Sequence, residues 1–317
     1  MKRLLVLGIG CAMSFAAAAA DYPVRPIRLV VPFAPGGPID TMARPIAQGM
    51  SEILGQPVIV ENKAGAAGNI GTEFVSRATP DGYTLLIAGG SQAINQSVYK
   101  KLSFDLSKDF TGVAMLGTGS SVMLVPASSG ITTPQQFVEF AKRKPGGANF
   151  ASPGAGTSTH LIAEMFKTAT GVPMTHVPFR GSAPALAETI AGRVDMMFDS
   201  SISVAPFVKA GELRAIALGG RSRIDALPGV PTLRELGIDV VLMSWTGIFA
   251  PAGTPRPVLD ALNATINKIL AQPAMVANFD KWGNKIEPMN WPDFDAFTKS
   301  EVQRFRAVVQ AAGVSQE

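Results

Sequence analysis

Short apolar runs alternate with longer stretches of helical periodicity along this chain. Residues 27–33 form a nearly continuous run of apolar side chains that includes β-branched residues, which is typical of a strand buried on both faces of a parallel sheet. From Ile39 to Leu54 the apolar residues recur three and four positions apart, which predicts an amphipathic helix. Pro38 suits the first position of this helix and Gly55 its end. The segment therefore predicts a strand, a glycine-containing loop and a helix.

The same order of strand and helix repeats along the chain. Strands are predicted at 58–60, 83–88, 149–151, 175–179, 194–198, 213–218 and 240–243, and a further apolar run covers 122–125. Helices are predicted at 70–77, 134–144, 158–170, 183–191, near Ala205, at 257–270 and at 293–311. Strands that alternate with helices in this way indicate parallel, doubly wound sheets with right-handed crossovers.

The length of the chain indicates how many such sheets there are. A single hydrophobic core stops growing at roughly 250–300 residues, and this chain has 317. We therefore predict the fold class α/β, with two doubly wound lobes joined by two crossover strands. The crossings are placed near 122–126 and 245–250, so lobe 1 comprises residues 21–124 and 246–317, and lobe 2 comprises residues 125–245.

The first twenty residues have the pattern of a secretory signal peptide. Two basic residues precede an apolar stretch at 4–9, and Ala18-Ala19-Ala20 forms a small-residue cleavage site. We predict export, with cleavage after Ala20 and a mature chain that begins at Asp21. Cys11 follows a small residue, Gly10, so lipidation at this cysteine stays open as an alternative.

Charge and composition argue against several classes of function. The chain has 28 Lys and Arg against 24 Asp and Glu, and the basic residues are scattered, so no nucleic-acid partner is predicted. Only His160 and His176, and no cysteine after Cys11, are present to bind a catalytic zinc, so no metal is predicted. The glycine-rich residues 65–71 match neither nucleotide-binding fingerprint, and no cofactor is predicted.

Two glycine-containing loops that follow predicted strands are the candidate ligand-binding segments. Residues 33–40 lead into the first helix, and residues 151–160 do the same in the second lobe. Open α/β sheets bind ligands beyond the carboxyl ends of their strands, and a helix N-terminus carries about half a positive charge. We therefore predict two anion seats that face each other. Either loop alone is open to a second interpretation as an ordinary connection.

Polar residues in these loops allow more than one role. Asp40, at the third helical position, either holds its own loop or meets a ligand ammonium or hydroxyl group. His160 lies in the first turn of its helix and is predicted to be neutral, while His176 in a strand is predicted to be structural. Ser158 and His160 are two positions apart and point in different directions, and no G-x-S-x-G motif is present. We predict that the protein is not an enzyme.

Five segments of the chain resemble a known receptor family. They are Tyr22–Asp40, Gly55–Gly65, Pro80–Leu85, His176–Gly181 and Ala250–Pro255. They are similar to motifs of the Bug family, the periplasmic receptors of tripartite tricarboxylate transporters, and the resemblance extends over the mature chain. It implies a type II periplasmic-binding-protein fold, a periplasmic monomer, a small carboxylate or dicarboxylate ligand, and the membrane subunits of such a transporter as partners.

The resemblance also implies which residues contact the ligand. They are Phe33, Ala34, Pro35, Gly36, Gly37, Asp40, Gly90, Ser91, Asn95, Ser152, Gly154, Ala155, Gly156, Thr157, Ser158, His160, Arg180, Asp199 and Ser200. Two other functions stay open at this point: a ligand sensor that contacts a signalling membrane protein, and a periplasmic enzyme.

Overall fold

The protein is described by a computed structural model that covers residues 22–315. The chain first alternates strands and helices: β1 (Ile27–Val31), α1 (Pro38–Leu54), β2 (Val58–Asn62), α2 (Asn69–Ser76), β3 (Thr84–Gly89) and α3 (Gly90–Val98). β1 pairs in parallel with β2 on one side and with β3 on the other. Every β1 residue except Arg28 is buried, in agreement with the apolar run in the sequence.

The first helix forms where the apolar periodicity predicts it. Pro38 lies at the N-terminus of α1, and the buried face of the helix carries Met42, Ile46 and Met50. These side chains pack with β1 in one hydrophobic cluster. Each large apolar side chain that is fully buried contributes roughly 1.5–3 kcal/mol to folding. The position of α1 relative to β1 is therefore fixed by packing.

The middle of the chain builds the second lobe. The long strand β4 (Phe110–Pro126) is followed by α4 (Pro134–Arg143), β5 (Ala148–Ser152), α5 (Ser158–Thr170), β6 (Met174–Pro178), α6 (Ser182–Ile190), β7 (Met196–Ser200), α7 (Ser201–Lys209) and β8 (Leu213–Leu218). β5 pairs in parallel with β6 and with β7. This lobe therefore repeats the arrangement of the first.

The last part of the chain returns to the first lobe. It consists of β9 (Met243–Pro251), α8 (Arg256–Leu270), α9 (Pro273–Trp282), β10 (Lys285–Ile286) and α10 (Trp291–Ala312). The strand order is β2-β1-β3-β9-β4 in one sheet and β6-β5-β7-β4-β8 in the other. In each sheet one strand arrives from the other lobe and pairs antiparallel with its neighbours. The predicted α/β fold with two lobes is confirmed.

The connection between the lobes is visible in the partners of β4. Residues Phe110–Ser120 pair with β9, whereas residues from Ser121 onward pair with β7 and β8. On the return, Leu242 donates its N–H to the Gly219 carbonyl in lobe 2, and β9 begins at the next residue. The boundaries expected at 124/125 and 245/246 lie a few residues beyond these changes of partner and stay a prediction.

Several elements differ from the sequence-based prediction. The first half of β4, the helix α3 and the helix α9 were not predicted, and residues 240–242 are not a strand. β4 contains several glycines, which lower strand propensity, and its pairing with β9 joins residues more than a hundred positions apart. α3 follows β3 without an intervening loop, at the Gly89-Gly90 pair.

Candidate functional site

A cleft lies between the two lobes at the carboxyl ends of the parallel strands. It encloses about 870 Å³, including its opening to solvent. Ten of the residues expected from the sequence lie in its wall: Phe33, Ala34, Pro35, Gly37, Gly90, Ser91, Thr157, Ser158, Asp199 and Ser200. Four other wall residues lie within the two predicted loops: Pro38, Ile39, Pro153 and Thr159. The wall also has residues that were not expected: Met42, Gly89, Gln92, Ser121, Gly181, Ser182, Ala183, Ile202, Ser244, Trp245, Thr246 and Asn284.

Five helices begin at this cleft. α1 and α3 begin there in lobe 1, and α5, α6 and α7 begin there in lobe 2, and each is the next helix after a strand. Among the wall residues, the amides of Ile39, Thr159 and Ala183 find no acceptor within residues 22–315. Helix N-termini carry partial positive charge and present unsatisfied N–H groups. The cleft is therefore suited to an anion.

The charged side chains of the wall do not add to this attraction. No Lys, Arg or His belongs to the wall in the part of the chain that is described, and Asp199 is its only charged residue. A bound anion would therefore be held by amide and hydroxyl donors. Hydroxyl groups that border the cleft include those of Ser91, Ser158 and Ser200.

Asp40 holds the loop in front of α1. Its carboxylate accepts hydrogen bonds from the amide of Gly36 at 2.9 Å, from Nδ2 of Asn62 at 2.9 Å, and from Nε and Nη2 of Arg44, both at 2.9 Å. Burial raises the pKa of Asp40, but these donors outweigh burial and keep the pKa below its usual value. The structure thus favours the first of the two roles considered for Asp40, and the Gly36 amide is engaged within the loop.

Ser152, His160 and His176 lie behind the second loop, outside the cleft wall. The Gly156 amide donates to Nδ1 of His160 at 3.1 Å, and Ser152 Oγ lies 2.6 Å from Nε2 of His176. The two imidazole rings stack with their centroids 3.9 Å apart. Burial and the neighbouring His160 lower the pKa of His176 to about 3, so this ring is neutral at physiological pH. The pair supports the backbone of the loop.

Bonds across the cleft join the two lobes. The Ser158 amide donates to Oγ of Ser91 at 3.2 Å, and the Tyr99 hydroxyl donates to the Ala155 carbonyl at 2.9 Å. Asn95 is buried in α3, and a Cβ atom added to Gly156 would lie 2.3 Å from its Oδ1 atom. Gly156 thus allows lobe 2 to approach α3 closely.

Three expected residues that are absent from the cleft wall line a neighbouring cavity. Gly154, Ala155 and Arg180 belong to its wall, and the cavity shares Phe33 and Ala34 with the cleft. The Arg180 side chain is exposed. The structure therefore does not bring Arg180 into the wall of the main cleft.

Asp199 lies at the end of β7 and is almost completely buried, with 1% of its surface exposed. Its Oδ1 atom accepts from the Ser200 amide at 2.7 Å and from Ser182 Oγ at 3.1 Å. Burial raises the pKa of Asp199 to about 7, and the two donors offset only part of this effect.

Some wall residues were missed for identifiable reasons. Ser182 begins the helix that follows β6 after a short loop, and the rule that ligands bind beyond strand ends could have found it. Trp245 gave no such signal, because it reaches the cleft from an antiparallel strand, β9. Its Nε1 donates to Oε2 of Glu301 on α10 at 2.9 Å, which fixes the indole at the cleft wall.

Neither a metal-binding cluster nor a membrane-spanning helix is found among residues 22–315. Within this range no group of three or more His, Cys, Asp or Glu side chains is arranged to bind a metal ion. No helix in the same range combines the length and the apolar character needed to cross a membrane.

Comparison with known proteins gives the family. Residues 42–314 match the model of the tripartite tricarboxylate transporter family receptor. The chain belongs to this family. A UPF0065 protein encoded in the tcbD–tcbE intergenic region of Pseudomonas sp. is 38% identical over 316 residues, which cover 97% of this chain and 94% of that protein. Protein BugT of Bordetella pertussis is 34% identical over 320 residues, which cover 99% of this chain and 98% of BugT.

Solved structures of family members confirm the fold. An R. palustris protein solved with adipate has a TM-score of 0.89 and 32% identity, and the match covers 93% of this chain and 99% of that one. MatC from Rhodopseudomonas palustris, solved with malate, has a TM-score of 0.85 and 32% identity, and the match covers 91% of this chain and 100% of MatC. Members of the family are solute-binding receptors, and the resemblance found in the sequence is confirmed.

Proposed function

We propose that this protein is a periplasmic receptor that captures a small carboxylate or dicarboxylate between its lobes and delivers it to a tripartite tricarboxylate transporter. The observation that carries the proposal is the convergence of five helix N-termini on a cleft whose wall has no cationic side chain within the described residues. Backbone amides and hydroxyl groups then provide the positive potential and the hydrogen bonds that a carboxylate needs.

The energies of such contacts suffice for a receptor. A helix N-terminus stabilises an anion by about 0.3–1 kcal/mol, and by up to about 2 kcal/mol when partly buried. A hydrogen bond to a charged group adds about 1.5–3 kcal/mol. Micromolar affinity corresponds to roughly −8 kcal/mol, so a few of these bonds together with two or more helix termini reach it.

Relatives support the chemical class of the ligand. The R. palustris protein was solved with adipate and MatC with malate, and both ligands are dicarboxylates. We propose direct contacts for the ten expected residues that lie in the cleft wall. For Gly36, Asp40, Asn95, Ser152, Gly156 and His160 we propose that they position the loops, and Gly154, Ala155 and Arg180 border the adjoining cavity.

We further propose that the chain acts as a monomer that binds its ligand and does not transform it. In the portion of the chain that is described, no hydroxyl group of the cleft wall is hydrogen-bonded to a histidine side chain, and the Ser182 hydroxyl donates to Asp199. Ser91 and Ser158 approach each other there, but neither contacts a histidine. Incubation of the pure protein with its ligand should return the ligand unchanged by mass spectrometry, and turnover that follows the protein through purification would refute this part of the proposal.

A binding screen tests the function directly. Purified protein is screened by thermal shift against mono-, di- and tricarboxylates, amino acids and aromatic acids, and hits are measured by calorimetry. Diamines with the carbon skeletons of the dicarboxylates serve as matched controls, since helix N-termini repel cations. A dicarboxylate should bind with a Kd on the order of micromolar, while its diamine should not. If no carboxylate binds, or the diamines bind as well, the proposal is wrong.

A further inference from the structure

The cleft contains one ionisable side chain within the described residues, and that side chain is acidic. Asp199 is its only carboxyl group, and the rest of the wall consists of apolar, hydroxyl, amide, indole and glycine residues. An anionic ligand would therefore enter a site whose one ionisable side chain, when ionised, is also negatively charged. Like charges at short range in a protein interior repel each other strongly, because the effective dielectric constant is low.

The hydrogen bonds of Asp199 distinguish its two oxygen atoms. Oδ1 accepts from the Ser200 amide and from Ser182 Oγ. Oδ2 is buried and has no hydrogen-bond partner within residues 22–315. An unpaired buried carboxylate oxygen is unfavourable, whereas a protonated one becomes a donor. Oδ2 is therefore the atom that takes up a proton.

The surroundings of Asp199 contain no charge that would oppose protonation. On β4, Val122 pairs with Asp199, and Ser182 on α6 donates a hydrogen bond to its Oδ1 atom. Ser121, Ala183, Ile202 and Ser244 belong to the same cleft wall. None of these side chains is charged or titrates near neutral pH. Burial raises the pKa of Asp199 to about 7, and no charged neighbour is among the causes of this shift. The carboxyl group is thus poised to change its charge near physiological pH.

We propose that Asp199 binds an anionic ligand in its protonated form, so that each ligand is captured together with one proton. The proton comes from solvent and bonds to Oδ2, and the resulting O–H donates a hydrogen bond to the ligand carboxylate. No other bond forms or breaks. This inference rests on the proposed function and names a residue that determines specificity: a protonated Asp199 favours carboxylates, whereas an ionised Asp199 would favour a ligand with an ammonium group.

Calorimetry of proton exchange tests the inference. Wild-type protein is titrated with malate and with adipate between pH 6 and 8.5, in buffers that differ in ionisation enthalpy. Above pH 7 binding should take up nearly one proton, and the affinity should fall about tenfold for each further pH unit. In Asp199→Asn an amide group replaces Oδ2 as a fixed donor, so its affinity should not change with pH. Asp239→Asn is the control: it removes a carboxylate that is exposed to water, unlike that of Asp199, and the variant should keep the wild-type pH dependence.

The outcomes separate this inference from the proposed function. Proton release on binding, binding without proton exchange above pH 7, or an Asp199→Asn variant with wild-type pH dependence would each overturn the inference while the receptor function stands. If folded wild-type protein binds neither ligand nor any other carboxylate at any pH, the proposed function fails.

A second measurement does not need a ligand. The pKa of Asp199 in the folded protein lies above its value in an unfolded chain. The stability that the protonated Asp199 contributes to the folded protein is therefore fully present below about pH 4 and is lost as the pH rises through about 7. The free energy of unfolding of Asp199→Asn, measured with denaturant and compared with wild type, should therefore shift in favour of the variant between pH 5 and 8. A difference that stays constant over this range would show that Oδ2 is not protonated near neutrality.

Discussion

Replacement of Gly156 by alanine should weaken ligand binding more than it weakens the fold. Gly156 has φ of +89°, and an added Cβ would lie 2.3 Å from Oδ1 of Asn95 and 3.1 Å from a ring carbon of Tyr99. Asn95 cannot yield easily, because its Nδ2 donates to Asn69 Oδ1 at 2.7 Å and to the Ala67 carbonyl at 3.2 Å. The clash is between the lobes, so it opposes the approach that captures the ligand.

The size of the effect follows from two separate causes. The left-handed conformation destabilises a non-glycine residue by about 1–2 kcal/mol whether the lobes are apart or together. The contact with Asn95 acts only when the lobes approach, and it should reduce affinity at least tenfold, or about 1.4 kcal/mol. Gly211→Ala is the matched control, since Gly211 has φ of +72° and no atom within 4 Å of its added Cβ. The control should lose stability without loss of affinity.

Calorimetry with malate or adipate measures the affinity, and chemical denaturation followed by circular dichroism measures the stability. Gly156→Ala and Gly211→Ala should have similar unfolding free energies and clearly different dissociation constants. If Gly156→Ala binds as tightly as the control, the lobes do not close through this contact, and the proposed arrangement of the cleft is wrong.

Four further results are expected. Asp40→Ala should lower the free energy of unfolding by about 1–3 kcal/mol at pH 7, because the amide of Gly36 and the side chain of Asn62 lose their acceptor. The pKa of Asp40 in the folded protein is lowered, so the difference in stability between the variant and wild type should shrink below about pH 4 when denaturation is measured at several pH values. Arg180→Ala should change the affinity for malate, measured by calorimetry, less than Gly156→Ala does. A larger loss of affinity than in Gly156→Ala would indicate that the Arg180 guanidinium binds the ligand carboxylate. Saturating ligand should reduce the radius of gyration in small-angle scattering, and identical curves would indicate a rigid cleft. The intact mass of exported protein should correspond to a chain that begins at Asp21 without lipid, a segment outside the described residues; an acylated Cys11 would contradict this.

The arrangement of the cleft also explains how one fold can serve different carboxylates. Amides at helix N-termini are fixed by the backbone, so they recognise a carboxylate without reference to the rest of the ligand. We expect discrimination between ligands to depend on apolar side chains of the wall, such as Ile202 and Trp245.

Local sequence patterns predicted many of the strands and helices and the two loops that border the cleft. Continuous apolar runs identified strands such as β1 and β8, and helical spacing with Pro38 identified α1, because strands and helices bury their side chains with different periods. The order of these elements indicated parallel sheets in two lobes, since a connection between parallel strands requires a crossover. The loops at 33–40 and 151–160 followed from this order, and their Phe33 and Ser158 lie in the cleft wall.

Contacts between distant parts of the chain determine which residues line the cleft and which hold the loops that border it. Asp40 and His160 lie in the expected loops, yet their side chains are occupied by Gly36, Arg44 and Gly156. Trp245 reaches the cleft because β9 pairs with β3 and β4, which are distant in the sequence. The raised pKa of Asp199 likewise depends on its burial beside β4 and α6, which lie apart from it in the sequence. Local sequence patterns do not contain these relations, because burial and the pairing of groups are fixed by contacts between distant parts of the chain.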